Sequence, residues 1–123
     1  MTKYVLDVGN CPPDHSAIRR LIESNFDAKV LQAHHLQDTL STLQQQQVTL
    51  VLVNRKLDQD YSDGMRIVDQ IKQVPEWSEI PVMLVTNYEE HQELAIKKGA
   101  VRGFGKLSLG SAETRENLKQ YLE

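Results

Sequence analysis

The stretch "VTLVLVNRKLDQDYSDG", residues 48–64, decides how the chain is read. Val48 to Val53 form a continuous, largely β-branched run, as expected of a central parallel strand covered on both faces. At Asn54 the run stops and a polar loop takes over as far as Gly64. The end of such a strand lies at the carboxyl edge of its sheet, where open α/β sheets hold their ligands.

Working outward, apolar runs alternate with helical patterns over the whole chain, with no linker or internal repeat between them. "KYVLDV" (3–8) reads as the first strand. After the loop "GNCPPD" a helix is expected from near His15, capped by Asp14, with Ala17, Ile18, Leu21 and Ile22 on one face. "AKVLQA" (28–33) is a second, weaker strand. Leu36, Leu40 and Leu43 recur at helical spacing, and Gln44 to Gln47 make the solvated end of that helix. Asp63 is expected to cap a third helix carrying Ile67, Val68 and Ile71 inward, with Pro75 at its exit. "IPVMLVT" (80–86) is a fourth strand of the buried type. Asn87 and Glu90 have the spacing of a capping box for a helix reaching Lys98, with Gly99 as its stop. "AVRGFG" (100–105) makes a poor fifth strand because two glycines weaken it, and a last helix from about Ala112 buries Leu118 and Leu122.

This pattern predicts an α/β fold of the flavodoxin-like, doubly wound kind, with right-handed crossovers and five helices about a five-stranded parallel sheet of order 2-1-3-4-5. The chain has 123 residues, which suits one domain over 1–123 with a core that needs no disulfide or metal to hold it. Its net charge of -3 disfavours a nucleic-acid surface. The single Cys11, the absence of an apolar stretch of membrane-spanning length and an N-terminus unlike a signal peptide point to a cytoplasmic protein without a membrane partner.

The strand ends expected to converge are Gly9 with Asn10, Asn54, Thr86 with Asn87, and Lys106. Here the sequence resembles the receiver domain of two-component response regulators, the CheY-like family, over essentially the whole chain. "IPVMLVTN" is similar to the family's proline-led fourth strand ending in Thr or Ser. "KKGAVRGFGK" is similar to its Gly-Ala followed seven residues later by a lysine, and "GNCPPDHSAIRRLIES" aligns with its acidic loop, proline and first helix. In that family two acids after the first strand and an aspartate after the third hold Mg²⁺, and the aspartate accepts a phosphoryl group from a histidine kinase. A carboxylate is the nucleophile that forms an acyl phosphate, and Mg²⁺ needs anionic oxygen ligands. The matching positions here are Gly9, Asn10 and Asn54, so all three carboxylates are absent, while Thr86 and Lys106 stand where the family contacts the phosphoryl oxygens. Asp58 replaces a usual proline, Leu107 replaces the proline after the lysine, and Gly103 stands where a switching Tyr or Phe is frequent.

The resemblance therefore implies a degenerate pseudo-receiver: a signal-transduction module acting through protein contacts without phosphorylation, not an enzyme, and without a cofactor or metal. Two other functions stay open: a phosphorelay receiver with Asp7 or Asp58 as an unusual acceptor, and a small-anion or nucleotide sensor at the strand ends. Lys106 has two candidate roles, pairing with Asp58 or a carbonyl, or contacting an anion. Thr86 caps the next helix or meets a ligand. Asp58, Asp60 and Asp63 read as a solvated turn or, less readily, a replacement metal site. Asp7 interrupts the first strand either as a displaced pocket carboxylate or as a hydrogen-bonded residue. The four histidines, His15, His34, His35 and His91, show no zinc spacing and take surface or loop-packing roles. On the fourth helix Leu94 and Ala95 are expected to face the sheet, leaving Tyr88, Gln92 and Ile96 as a stripe for a signalling partner or for a homodimer through the fourth helix and fifth strand.

Overall fold

Successive side chains of a strand point to opposite faces of its sheet, so an apolar run buries both faces at once. In the computed structural model, which describes residues 2–123, the decisive run does this as β3 (Val48–Asn54). Leu50 and Leu52 enter one core layer, Val51 and Val53 the other. The other strands are β1 (Lys3–Val8), β2 (Ala28–Ala33), β4 (Val82–Val85) and β5 (Val101–Phe104). They pair in parallel in the order β2-β1-β3-β4-β5, which is the predicted sheet. The helices are α1 (Pro12–Asn25), α2 (Leu36–Gln45), α3 (Met65–Gln73), α4 (Glu89–Lys97) and α5 (Ala112–Leu122). No helix of the described residues is long and apolar enough to cross a membrane.

Leu6, Val8, Val51, Val53, Val82 and Leu84 form the floor of one layer, closed by Leu43 of α2, Ile67, Val68 and Ile71 of α3, and Ala95 of α4. Val5, Leu50, Leu52, Met83 and Val85 form the other, closed by Ile18 and Ile22 of α1 and by Leu118 and Leu122 of α5. Each fully buried side chain of this size contributes about 1.5–3 kcal/mol by leaving water. Alternation along β1 puts Asp7 on the same face as Val5, toward α1.

Three helix starts differ from expectation. Helix α1 begins at Pro12, with Cys11 as N-cap and no side-chain cap. Two prolines fit a first turn, where their missing N–H groups have no helical acceptor, and Asp14 is thereby moved inside the helix. Gly64 precedes α3, and Asp63 instead accepts from Met65 N at 2.9 Å. At α4 the N-cap is Tyr88 without a side-chain cap. Asn87 accepts from Leu107 N at 3.1 Å instead, joining the β4–α4 loop to the β5–α5 loop. A capping box does form where none was expected: His35 accepts from Asp38 N while Asp38 accepts from His35 N.

Ile71 is wholly buried and Leu107 is 88% exposed. Ile71→Ala is expected to lower unfolding free energy by about 2–5 kcal/mol in urea denaturation, and Leu107→Ala to change it by less than about 0.5 kcal/mol.

Candidate functional site

The first strand delivers the chain to Gly9 in the left-handed region, at φ 78°. A Cβ built there would lie 2.4 Å from Leu57 Cδ2 and 3.1 Å from Leu57 Cα. Leu57 is itself buried in the core, so the backbone of the first loop and that side chain occupy each other's only space. Asn54 completes the contact. Its amide Nδ2 donates to Gly9 O at 3.2 Å and to Lys56 O at 2.7 Å, so one side chain ties the ends of β1 and β3.

Asn10 does not face the cavity mouth. It is buried, and its Nδ2 donates to Asp7 Oδ1 at 2.5 Å, while its own Oδ1 is buried with no partner. The other oxygen of Asp7 lies 2.7 Å from His15 Nδ1. His15 is the second residue of chemical interest in α1; the first is Asp14, which pairs with Lys106 Nζ at 2.8 Å and accepts from Cys11 Sγ at 3.1 Å. The Lys106 and Cys11 hydrogen bonds hold the Asp14 carboxyl below its ordinary value. Burial, acting against hydrogen bonds from His15 and Asn10 and the charges of His15 and Lys106, pushes the Asp7 carboxyl up.

Between the ends of β3 and β4 lies a cavity of about 270 Å³ whose lining includes Asn54, Arg55, Lys56, Thr86, His91 and Lys106. Thr86 Oγ1 accepts from Tyr88 N at 3.3 Å and lies 3.1 Å from His91 Nδ1, so its hydroxyl fastens the start of α4. Thus Asn54, Thr86 and Lys106 converge as the topology implied, with Gly9 behind Asn54, while Asn10 and Asp7 turn away beneath α1.

Several assignments are corrected by these contacts. Lys106 pairs with Asp14, not Asp58, because the prolines start α1 early enough to bring Asp14 under the β5–α5 loop. Asp58 pairs with His34, whose Nδ1 lies 3.1 Å from Oδ2. Asp60 folds onto its own turn through Ser62, and Asp63 pairs with Arg55 at 2.9 Å, so the three aspartates hold separate partners. Histidines 15 and 34 do more than pack loops: each holds one of the two aspartates considered as acceptors. On α4 the expected stripe is broken. Gln92 is buried and Leu94 is 42% exposed, since a helix starting at Glu89 turns Gln92 and Ala95, three apart, to the sheet. The Gln92 amide donates to Leu84 O at 3.0 Å and to Thr86 O at 3.3 Å, and its oxygen accepts from Gly103 N at 2.9 Å. A Cβ on Gly103 would sit 2.3 Å from Leu84 O, so the strand comes too close there for any side chain.

Arg55 and Lys56 were not singled out in the sequence, although two cations directly after a buried strand are visible in it. Nothing in spacing alone marks His15, since its link to Asp7 exists only once α1 lies on β1.

Residues 10–108 match the response regulator receiver domain family, and the chain belongs to that family. Receiver domains are signalling modules that act on signalling partners. No curated protein sequence matches the chain. Among solved structures, a response regulator from Chloroflexus aurantiacus J-10-fl is similar with a TM-score of 0.86 at 14% identity, covering 98% of each chain. The BeF3-activated receiver domain of Klebsiella pneumoniae RstA gives 0.81 at 19% identity, over 98% of this chain and 99% of that one. The Mn(2+)-bound form of response regulator Rcp1 gives 0.70 at 18% identity, over 96% and 90%. At such identities the likeness is one of fold.

Asp7 provides a test by pH. A carboxyl raised above its ordinary value of 3.8 keeps its proton in the folded state where the unfolded chain has lost it, so stability falls as pH rises from 3.8 through the folded value. Asp7→Asn keeps the shape and the hydrogen-bonding capacity toward Asn10 and His15. Thermal melts of the two proteins across this range are expected to show the downward slope with rising pH in wild type and a flatter one in the variant.

Proposed function

We propose that this receiver-family chain is a pseudo-receiver over residues 1–123, a protein-interaction module that works without phosphorylation. The observation that carries the reading is the Asn54 amide, donating to the carbonyls of Gly9 and Lys56. Those two oxygens are held by a neutral donor at the place where the family's aspartate would offer a negative charge. Family Mg²⁺ does not fit these residues: Gly9 has no side chain, Asn10 is turned in toward Asp7, and Asn54 presents N–H groups. Among the described residues no three His, Cys, Asp or Glu side chains converge as metal ligands either.

The rival acceptors fare poorly on the same ground. Asp7 is wholly buried, out of reach of a phosphodonor, and Asp58 is held by His34 with a side chain only 11% exposed. The partner face is proposed on α4 and β5, narrowed to Tyr88 and Ile96, which are 61% and 43% exposed. Gln92 supports a face set in one state, because its three hydrogen bonds pin α4 to β4 and β5 where the family frequently carries a mobile aromatic ring. Homodimerisation through this face belongs to the same proposal.

Restoring the family's acids tests the reading. Asn54→Asp replaces a donor by an acceptor facing two carbonyls, which is expected to cost about 1–3 kcal/mol, with no recovery on adding Mg²⁺. The further change Gly9→Asp meets a positive φ, worth about 1–3 kcal/mol, and the buried Leu57, so the triple variant with Asn10→Asp is expected to be weakly folded and not rescued by metal. Wild type, single and triple variants are incubated with a small phosphodonor and Mg²⁺ and followed by intact mass. No adduct on any of them is expected; covalent phosphate on wild type overturns the proposal.

A further inference from the structure

Three of the large apolar side chains exposed to water stand in loops at one end of the sheet. Tyr61 follows β3 and is 70% exposed, Tyr88 follows β4 at 61%, and Leu107 follows β5 at 88%. One of them borders the cavity at the strand ends, and the other two are joined to residues that do. Tyr88 lines it directly. The Tyr61 ring lies under Lys56 Nζ at 5.3 Å, and Leu107 is tied by its N–H to Asn87, with Lys56 and Asn87 both in the lining. Tyr61 is also held at φ 59°, as the non-glycine residue with positive φ among those described. Such a conformation costs about 1–2 kcal/mol in a side-chain-bearing residue, and it persists here although the residue stays 70% exposed.

The cavity is basic. Arg55, Lys56, His91 and Lys106 line it, and no aspartate or glutamate among the described residues does. Arg55 and Lys106 have their carboxylates, Asp63 and Asp14, outside the lining. Lys56 has no carboxylate partner among the described residues. Arg55 Nε is buried with no acceptor. Glu89 and Glu90 occupy the first turn of α4, but Glu89 is turned to β5, where Arg102 holds it through a paired ion contact.

Aromatic and arginine side chains around a desolvated centre are the composition of interface anchors. Exposed apolar groups about a cationic cavity fit an occupant that is itself apolar and negatively charged. A volume near 270 Å³ lies at the small end of ligand pockets, enough for one anionic side chain. A net charge of -3 is unlike the strongly basic balance of a nucleic-acid-binding domain.

We propose that the strand-end cavity, with Tyr88 in its wall and Tyr61 and Leu107 in the loops beside it, docks an acidic segment of a partner protein, with one Asp or Glu side chain entering between Lys56 and Lys106. The partner's carboxylate supplies the negative charge that the chain's own Asn54 does not. This deepens the pseudo-receiver reading and rests on it, since a phosphoryl group formed in the cavity would exclude the guest.

Backbone NMR of the ¹⁵N-labelled protein, titrated with a short peptide of alternating Glu and Leu, tests the proposal. The same peptide with Gln for Glu, inorganic phosphate, and a DNA single strand of matched charge serve as the other arms. Expected are shifts confined to Lys56, Tyr61, Tyr88, Lys106, Leu107 and their neighbours with the Glu peptide alone, weakening as salt is raised. Lys56→Glu, at an exposed position, is expected to weaken binding by about tenfold, and Tyr88→Ala to weaken it without removing its salt dependence. Equal binding of the Gln peptide, equal or stronger shifts with phosphate or DNA, shifts on α4 and α5 instead, or no shifts at all each overturn it. Intact mass after phosphodonor treatment reports separately on the underlying reading, so a covalent adduct and a failed titration are told apart.

Discussion

A single side-chain amide joins the two central strands at the end where receiver domains do their work. The Nδ2 of Asn54 meets the carbonyls of Gly9 and Lys56, and this contact is possible only because β1 and β3 lie side by side in parallel register. It also depends on Gly9, whose bare Cα leaves Leu57 room to reach the core. The carbonyl of buried Gly9 needs a donor, and one fixed by covalent attachment to β3 satisfies it without metal. A side chain on Gly9 would meet Leu57, and a carboxylate in place of the Asn54 amide would face two carbonyls.

The cations about the strand ends each have a contact of their own. Lys106 is shared with Asp14 of α1, Arg55 with Asp63, and Lys56 rests on Tyr61. These are half-exposed contacts worth little stability each, so they orient side chains more than they hold the fold. Beneath them, the Asp7, His15 and Asn10 cluster is buried and polar, and its hydrogen bonds fix α1 against β1. Away from the cavity, Gln92 joins α4 to β4 and, through Gly103, to β5.

The fold and much of the site could be read from residues alone. Apolar runs at 48–53 and 80–86 named the central strands because a parallel strand has no wet face to encode, and the loops at their ends then followed from topology. Short-range capping was read less well. Asp14, Asp63 and Asn87 each have the chemistry of an N-cap, yet Pro12 and Pro13 claimed the first start, Gly64 the second, and a loop amide drew Asn87 away at the third. Side-chain facing on α4 was read rightly for Ala95, Tyr88 and Ile96 and wrongly for Gln92 and Leu94, because which arc of a short helix meets the sheet is set by packing.

What sequence alone determined was the sheet, its order, the members of the convergent loops and the absence of carboxylates at Gly9, Asn10 and Asn54, because periodicity and residue identity are local properties. Which group meets which was decided only by tertiary structure. Asp14 against Lys106, His15 against Asp7, His34 against Asp58, and Gln92 across two strands are contacts between elements whose separation and rotation come from core packing. A hydrogen bond needs its partners placed to within tenths of an ångström, a precision that packing of the whole sheet supplies and no spacing along the chain encodes.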